Sequence, residues 1–157
     1  MKIRFIDQPE FHSREEYHAT LDYLVDIGSK LDGIQGIYQF GTVSSPGISD
    51  LDLIFVFKPG AKNDFSFLEG LPEKHRYFLT HNVVGITESQ LQEGFRYSFW
   101  HNINHLWGPK LKFPESSLVE PEELSVLKRQ LALEYLVTFN LSLTTQYAYG
   151  IFKMRSI

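Results

Sequence analysis

The chain has 157 residues, the length of one ordinary domain, and its content of 43% hydrophobic and 22% charged residues is typical of globular proteins. The 15 lysine and arginine residues against 19 aspartate and glutamate residues give a formal net charge of −4, which argues against a nucleic-acid partner. The absence of cysteine excludes disulfides and thiolate metal sites, and no apolar run approaches the roughly 20 residues that span a bilayer. We therefore expect a cytoplasmic protein that has no membrane partner.

The first part of the chain predicts one helix followed by two strands. Ser13 is a suitable N-cap, and apolar side chains then recur at helical spacing over residues 14–31. Two glycines end this pattern. Apolar runs at residues 37–41 and 51–57 each predict a strand, and the second run is followed by proline and glycine.

The middle of the chain predicts two more strands and a second helix. One helical turn is expected within residues 65–71 of a polar connection. Residues 76–86 predict the third strand, and residues 87–104 are expected to contain a helix. A short fourth strand is expected at residues 105–108, where glycine and proline stop it.

The last segment predicts the longest helix, which begins near Pro121. Its apolar residues recur every four positions from Leu127 to Ile151, and further apolar residues spread around the helix axis. Such a helix is expected to be buried on most sides. We therefore predict a C-terminal helical segment over residues 114–157 that packs on a core formed by residues 1–113 or on a partner subunit. A homodimer or a helical partner protein would bind through residues 121–157.

A pair of aspartates lies within the most hydrophobic part of the sequence, in Asp50-Leu51-Asp52. Residues two apart in a strand point to the same face, and two adjacent carboxylates repel each other unless a cation joins them. The ion that they are expected to bind is Mg²⁺ or Mn²⁺. Upstream, Gly41 allows close approach of a ligand to the backbone and Thr42 offers a hydroxyl, so this pair is a candidate phosphate site.

These motifs resemble the nucleotidyltransferase superfamily, which includes the polymerase-beta-like and minimal nucleotidyltransferase domains. The similar features are Phe40-Gly41-Thr42 at a strand end, a short loop, and the Asp-x-Asp pair on the next strand. The resemblance implies an α+β fold, in which helices flank a small mixed sheet and a long C-terminal helix follows. It also implies that Asp50 and Asp52 are both catalytic residues and metal ligands, and that Gly41, Thr42 and Ser49 bind the nucleotide.

The implied activity is transfer of a nucleoside monophosphate from a nucleoside triphosphate to an acceptor hydroxyl. The family has a third carboxylate on a later strand, at about residues 81–86, but no acid stands there. Either Glu88 reaches the site, or His81 serves as the base, or turnover has been lost. A catalytically silent nucleotide-binding or protein-interaction module on the same fold is therefore the alternative function.

Other signals favour less specific interpretations. The Asp-x-Asp pair could be a solvated loop pair, and Gly41-Thr42 could be an ordinary turn. His101 and His105 have the i, i+4 spacing of a zinc site but lack an evident third ligand, so surface or packing roles are favoured. The loop lysines at positions 58, 62 and 74 and the tryptophans at 100 and 107 are better explained by solvation and packing. A glycosyltransferase, which also uses Asp-x-Asp, would need a chain of about 250 residues or more.

Overall fold

The computed structural model describes residues 2–61, 67–96, 102–112 and 121–155. The helices are α1 (Arg14–Ser29), α2 (Glu73–Arg76), α3 (Glu88–Arg96) and α4 (Pro121–Tyr149). The strands are β1 (Arg4–Ile6), β2 (Ile34–Phe40), β3 (Asp52–Phe57), β4 (Val84–Thr87), β5 (Ile103–Trp107) and β6 (Ile151–Lys153). The chain divides into two compact units, a larger one of Phe11–Ser116 and a smaller one of Met1–Glu10 with Ser117–Ile157.

The larger unit contains a mixed four-stranded sheet in the order β4-β3-β2-β5. Strand β2 pairs antiparallel with both β3 and β5, and β3 pairs parallel with β4. All six residues of β3 are buried or half-buried, which explains its nearly continuous apolar sequence. The α+β class with a mixed sheet and a long C-terminal helix is thereby confirmed.

Helix α1 covers one face of this sheet, and its start matches the prediction. The Ser13 hydroxyl accepts a hydrogen bond from the Glu16 backbone N–H, while the Glu16 carboxylate accepts one from the Ser13 N–H. This capping box satisfies two backbone donors that the first turn would otherwise leave unpaired. The helix approaches the sheet closely at Gly28, where an added Cβ would lie 2.5 Å from the Phe55 ring.

The sheet carries apolar clusters on both faces. The larger cluster joins α1 to the alternate β3 residues Leu53, Phe55 and Phe57 and to Phe67 and Phe78. The smaller cluster contains Tyr38, Ile54, Val56 and Leu91, so α3 packs on the other face. This two-sided burial holds β3 in place between its neighbours, and the first residue of β3 is Asp52.

The smaller unit combines α4 with a parallel pair of short strands, β1 and β6. Gly150 ends the helix in a left-handed conformation (φ +65°) that glycine adopts readily. Two hydrogen bonds join the Arg155 guanidinium to the Asp7 carboxylate, so the chain segments beside β1 and β6 are also tied together.

Several predicted boundaries were wrong. The third strand begins at Val84 rather than at residue 76, because residues 73–76 form the short helix α2 and residues 77–83 form turns and irregular chain. The long helix ends at Tyr149, and Ile151, which the repeat placed in the helix, begins β6. The helical turn predicted at residues 65–71 lies partly outside the described residues, and residues 67–70 form a turn.

The expected burial of α4 is not found in the described part of the chain. Leu133, Tyr135 and Leu141 are between 63% and 72% exposed, and Leu136 and Val137 are more than half exposed. Among the described residues, no helix is both long enough and apolar enough to span a membrane.

Candidate metal centre

The two aspartates lie where β3 begins. Asp52 is its first residue and pairs with Phe40 of β2, and Asp50 precedes it by two positions. Both side chains are half-buried. The backbone between the two aspartates is also held on the side away from β2, because the Leu51 N–H donates to the Phe78 carbonyl at 2.7 Å. The fully buried Leu51 side chain anchors the Asp-x-Asp segment in the core.

Parallel pairing of β3 and β4 brings a histidine to the same place. Ile54 pairs with Val84, so the chain segments that precede the two strands run side by side. Asp52 lies two residues before Ile54, and His81 lies three residues before Val84. The His81 ring therefore meets the Asp52 carboxylate, at 2.7 Å between Nε2 and Oδ1.

Both ring nitrogens of His81 act as donors in this structure. Nδ1 lies 2.7 Å from the Asn82 carbonyl oxygen, which can only accept, so Nδ1 carries a proton. Nε2 faces the Asp52 carboxylate and donates to it. The hydrogen bond to Asp52 is the main reason that the pKa of His81 rises from 6.5 to about 9, against an opposing effect of burial. At neutral pH His81 is therefore a cation between acidic groups.

Asp50 is oriented by a different neighbour. The hydroxyl of Thr80 donates a hydrogen bond to Asp50 Oδ2. Thr80 precedes His81 directly, so one short segment before β4 contacts both aspartates. A fixed partner behind a carboxylate reduces the side-chain freedom that metal binding would otherwise have to remove.

Asp50, Asp52 and His81 together could hold a metal ion. Each offers one ligand atom, and the three atoms lie within 4.8 Å of one another. The Nδ1–H bond from His81 to a backbone carbonyl is the arrangement that supports metal-binding histidines, because it leaves Nε2 for the ion. Nε2 would have to release its proton first, since a protonated nitrogen has no free electron pair.

Glu88, the other residue predicted to replace a third carboxylate, lies elsewhere. It begins α3, directly after the last residue of β4, and therefore at the opposite end of that strand from His81. Its carboxylate accepts a hydrogen bond from Gln92 at 3.0 Å. The structure brings His81, and not Glu88, beside Asp50 and Asp52.

The loop between Gly41 and Asp50 is ordered by two tyrosines. The Tyr17 hydroxyl donates to the Ser49 carbonyl at 2.5 Å and accepts from the Gly47 N–H at 3.0 Å. The Tyr77 hydroxyl donates to the Gly47 carbonyl at 2.7 Å. Ser49 also closes the loop from within, because its hydroxyl accepts from the Ser45 N–H at 3.0 Å.

Gly41 supplies space rather than a donor. It adopts φ +73°, and among the described residues no atom outside its immediate neighbours lies within 4 Å of the position that a Cβ would occupy. Its N–H is already used, since it donates to the Asn102 carbonyl at 2.8 Å. A ligand could approach the backbone here, but the Gly41 N–H would not bind it without breaking a sheet-edge bond.

A separate pocket of about 160 Å³ lies beside α1. Its lining includes side chains from α1, from β2 and from the following loop: Arg14, His18, Gln39 and Thr42. Gln39 pairs with Leu53, whereas Phe40 pairs with Asp52, and successive strand residues point to opposite faces. The Gln39 side of the pocket therefore lies on the opposite face of the sheet from the Asp52 carboxylate.

Three residues of this site were not predicted from sequence. Thr80, Tyr17 and Tyr77 contact the aspartates or their loop, but no local pattern marks them, because the contacts join positions about 30 residues apart. Of the two histidines with zinc-site spacing, for which surface or packing roles were favoured, His101 lies outside the described residues. His105 Nε2 donates to the Gly108 carbonyl at 2.8 Å, which is a local structural role.

Three of the lysines and tryptophans noted in the sequence are described by the structure, and none of these three belongs to the cluster of Asp50, Asp52 and His81. Lys62 and Trp100 lie outside the described residues, Lys58 and Lys74 are exposed, and Trp107 packs against the larger core cluster. Comparison of the chain with models of protein families, with curated proteins and with solved structures finds no match.

Proposed function

We propose that this protein is a divalent-metal-dependent nucleotidyltransferase that moves a nucleoside monophosphate from a nucleoside triphosphate to an acceptor hydroxyl. The observation that carries the proposal is the cluster of Asp50, Asp52 and His81 at the adjacent starts of β3 and β4. The Asp-x-Asp motif after a Gly-Thr turn, on which the family resemblance rests, supports it. Mg²⁺ or Mn²⁺ is the proposed cofactor.

In the proposed reaction, the acceptor hydroxyl oxygen forms a bond to the α-phosphorus. The bond from that phosphorus to the oxygen bridging to the β-phosphorus breaks, and pyrophosphate leaves with the electron pair. A bound divalent ion supplies positive charge that stabilises the phosphate oxygens during this exchange. The remaining contribution is positioning, and the acceptor must lose one proton to water or to a carboxylate oxygen.

The residues of the chain have distinct parts in this proposal. Asp50, Asp52 and His81 would hold the ion, while the Thr80 hydroxyl and the Asn82 carbonyl orient two of these three ligands. His81 is not suited to act as the base once it binds metal, because Nδ1 donates to Asn82 and Nε2 would be coordinated. The open space beside Gly41 would accept part of the nucleotide.

Calorimetric titration of ATP and GTP, each with Mg²⁺ and with Mn²⁺, tests the first half of the proposal. We expect metal-dependent binding that Asp50→Asn and Asp52→Asn both abolish while the circular dichroism of each variant stays unchanged. Asp22→Asn, which removes one carboxylate at an exposed position of α1, should leave binding intact. Absence of nucleotide binding by the parent protein with either ion would overturn the proposal.

Release of pyrophosphate tests the second half. A panel of hydroxyl acceptors, including the protein itself, would be incubated with α-labelled nucleoside triphosphates, and label transfer and pyrophosphate would be measured together. We expect equal amounts of both products. An analogue with a methylene group between the α- and β-phosphorus should bind but give neither product.

A silent interaction module is the second candidate, and the exposed face of α4 favours it. The helix has no charged residue from Tyr135 to Tyr149, so two copies could pack this face together without opposing like charges. For this alternative we propose a homodimer through α4. Sedimentation of the protein beside Val137→Glu and the matched control Gln130→Glu tests it, with a monomer expected only for the first variant. Metal-dependent binding without pyrophosphate release would favour the silent module over the enzyme.

A further inference from the structure

The ligands at the candidate metal centre are not the set that Mg²⁺ prefers. Mg²⁺ is a hard ion that binds carboxylates, phosphates and water in octahedral geometry. Here one of the three protein ligands is an imidazole nitrogen, the Nε2 of His81, beside one oxygen each from Asp50 and Asp52. Imidazole binds transition-metal ions much better than it binds Mg²⁺.

From this ligand set we infer that the centre selects Mn²⁺ over Mg²⁺. Mn²⁺ shares the oxygen preference and octahedral geometry of Mg²⁺, which the two aspartates and a triphosphate require, and it also accepts an imidazole. This inference rests on the proposed function for the choice of Mn²⁺ among the transition metals. The discrimination against Mg²⁺ follows from the His81 nitrogen alone.

The geometry of the three ligands supports an octahedral ion. Neighbouring donors around an ion with bonds of about 2.1 Å lie about 3 Å apart. His81 Nε2 and Asp52 Oδ1 lie 2.7 Å apart, so they need to separate by only a few tenths of an ångström. All three donor atoms lie within 4.8 Å of one another, so no pair needs to close by more than about 2 Å to reach the separation of neighbouring octahedral donors.

The orientation of His81 also fits the role of a ligand. Its Nδ1 donates to the Asn82 carbonyl at 2.7 Å, which points Nε2 at the aspartates. The side chain is 52% exposed, so an ion can reach it from solvent. The Asp52 side chain is 34% exposed, and the remaining coordination positions would face water or the phosphates of a nucleotide.

Binding of Mn²⁺ to the nucleotide-free protein tests the inference directly. The electron paramagnetic resonance signal of free Mn²⁺ would be followed during titration, and Mg²⁺ would then be added as a competitor. We expect Mn²⁺ to bind at least about tenfold more tightly than Mg²⁺, the scale on which changes around a metal ligand alter affinity. Equal affinities would overturn the inference.

Variants at position 81 separate the imidazole from the rest of the site. His81→Asp restores a third carboxylate and should lower the Mn²⁺ to Mg²⁺ affinity ratio about tenfold, whereas His81→Gln should weaken Mn²⁺ more than Mg²⁺. His105→Gln removes an imidazole elsewhere and should leave the ratio unchanged. An unchanged ratio in both position-81 variants, each checked for folding, would contradict the assignment.

The outcomes for the metal and for the reaction are distinguishable. Selective Mn²⁺ binding without any nucleotide binding would overturn the proposed function and leave the metal selectivity standing. Nucleotide transfer that proceeds equally well with either ion, together with equal affinities, would overturn the selectivity alone.

Discussion

Replacement of His81 by glutamine should change how the stability of the metal-free protein depends on pH. The folded-state pKa of His81 is raised to about 9 from an ordinary 6.5, chiefly by the hydrogen bond to Asp52. Between these values the folded protein binds more protons at His81 than the unfolded chain does. The resulting stabilisation is fully present below about pH 6.5 and is lost as the pH rises through about 9.

The magnitude follows from the shift after allowance for solvent. At about 1.4 kcal/mol for each pKa unit, a fully retained shift would correspond to about 3 kcal/mol. His81 is 52% exposed, and exposed ion pairs stabilise folded proteins by only about 0.2–1 kcal/mol. We therefore expect the wild-type protein to lose about 1 kcal/mol relative to His81→Gln between pH 6 and pH 10.

Urea unfolding in the presence of a chelator measures this difference. Tryptophan fluorescence is a suitable signal, because Trp107 lies in β5 beside the core of the larger unit. The free energy of unfolding would be determined at several pH values for the wild type, His81→Gln and the control His105→Gln. Parallel curves for the wild type and His81→Gln would refute the argument, and the same comparison in an Asp52→Asn background should show little pH dependence.

Three further changes test individual contacts in the larger unit. Thr80→Val removes the hydrogen bond to Asp50, and we expect it to lower the unfolding free energy by about 1–2 kcal/mol and the Mn²⁺ affinity about tenfold. Thr80→Ser keeps the hydroxyl and should retain most of the stability and most of the affinity. Gly28→Ala should gain about 1 kcal/mol of stability from helix propensity but lose about 1–3 kcal/mol through overpacking, because the added Cβ would lie 2.5 Å from the Phe55 ring. Urea unfolding should therefore show a net loss of stability. Gly108→Ala should cost at least about 2 kcal/mol, because φ is +86° and the Cβ would lie 2.3 Å from a backbone carbonyl; wild-type stability of either alanine variant would contradict these contacts.

Features encoded within a few residues were predicted well from the sequence. The start of α1 depends on Ser13 and on the glutamate three positions later, so its capping box is visible in the chain itself. The continuous apolar run of β3 likewise reflects burial on both faces of the sheet. In each case the local signal and the tertiary environment favour the same structure.

The predicted third strand failed where these two signals differ. Residues 77–79 are apolar enough to suggest a strand, yet Phe78 and Leu79 are buried within turns that follow α2. Their burial comes from packing on α1 and β3 rather than from sheet pairing. A short apolar run does not distinguish these environments, and the pairing of β1 with β6 joins chain segments too far apart for any local pattern to indicate.

The candidate metal centre combines both kinds of information. Asp50 and Asp52 follow from the period of a strand, whereas the selection of His81 over Glu88 depends on the register of β4 against β3. That register matters chemically as well as geometrically. A divalent ion held by three carboxylates gives a centre with a net charge of −1, whereas the same ion held by two carboxylates and a neutral imidazole gives a neutral centre. A neutral centre repels the anionic triphosphate less, and its nitrogen ligand favours Mn²⁺. Under the proposed function, His81 in the place of a third acid would therefore change both the ion that the site selects and the charge that it presents. The affinities of the His81→Asp variant for Mn²⁺, Mg²⁺ and nucleotide would measure both effects in one protein.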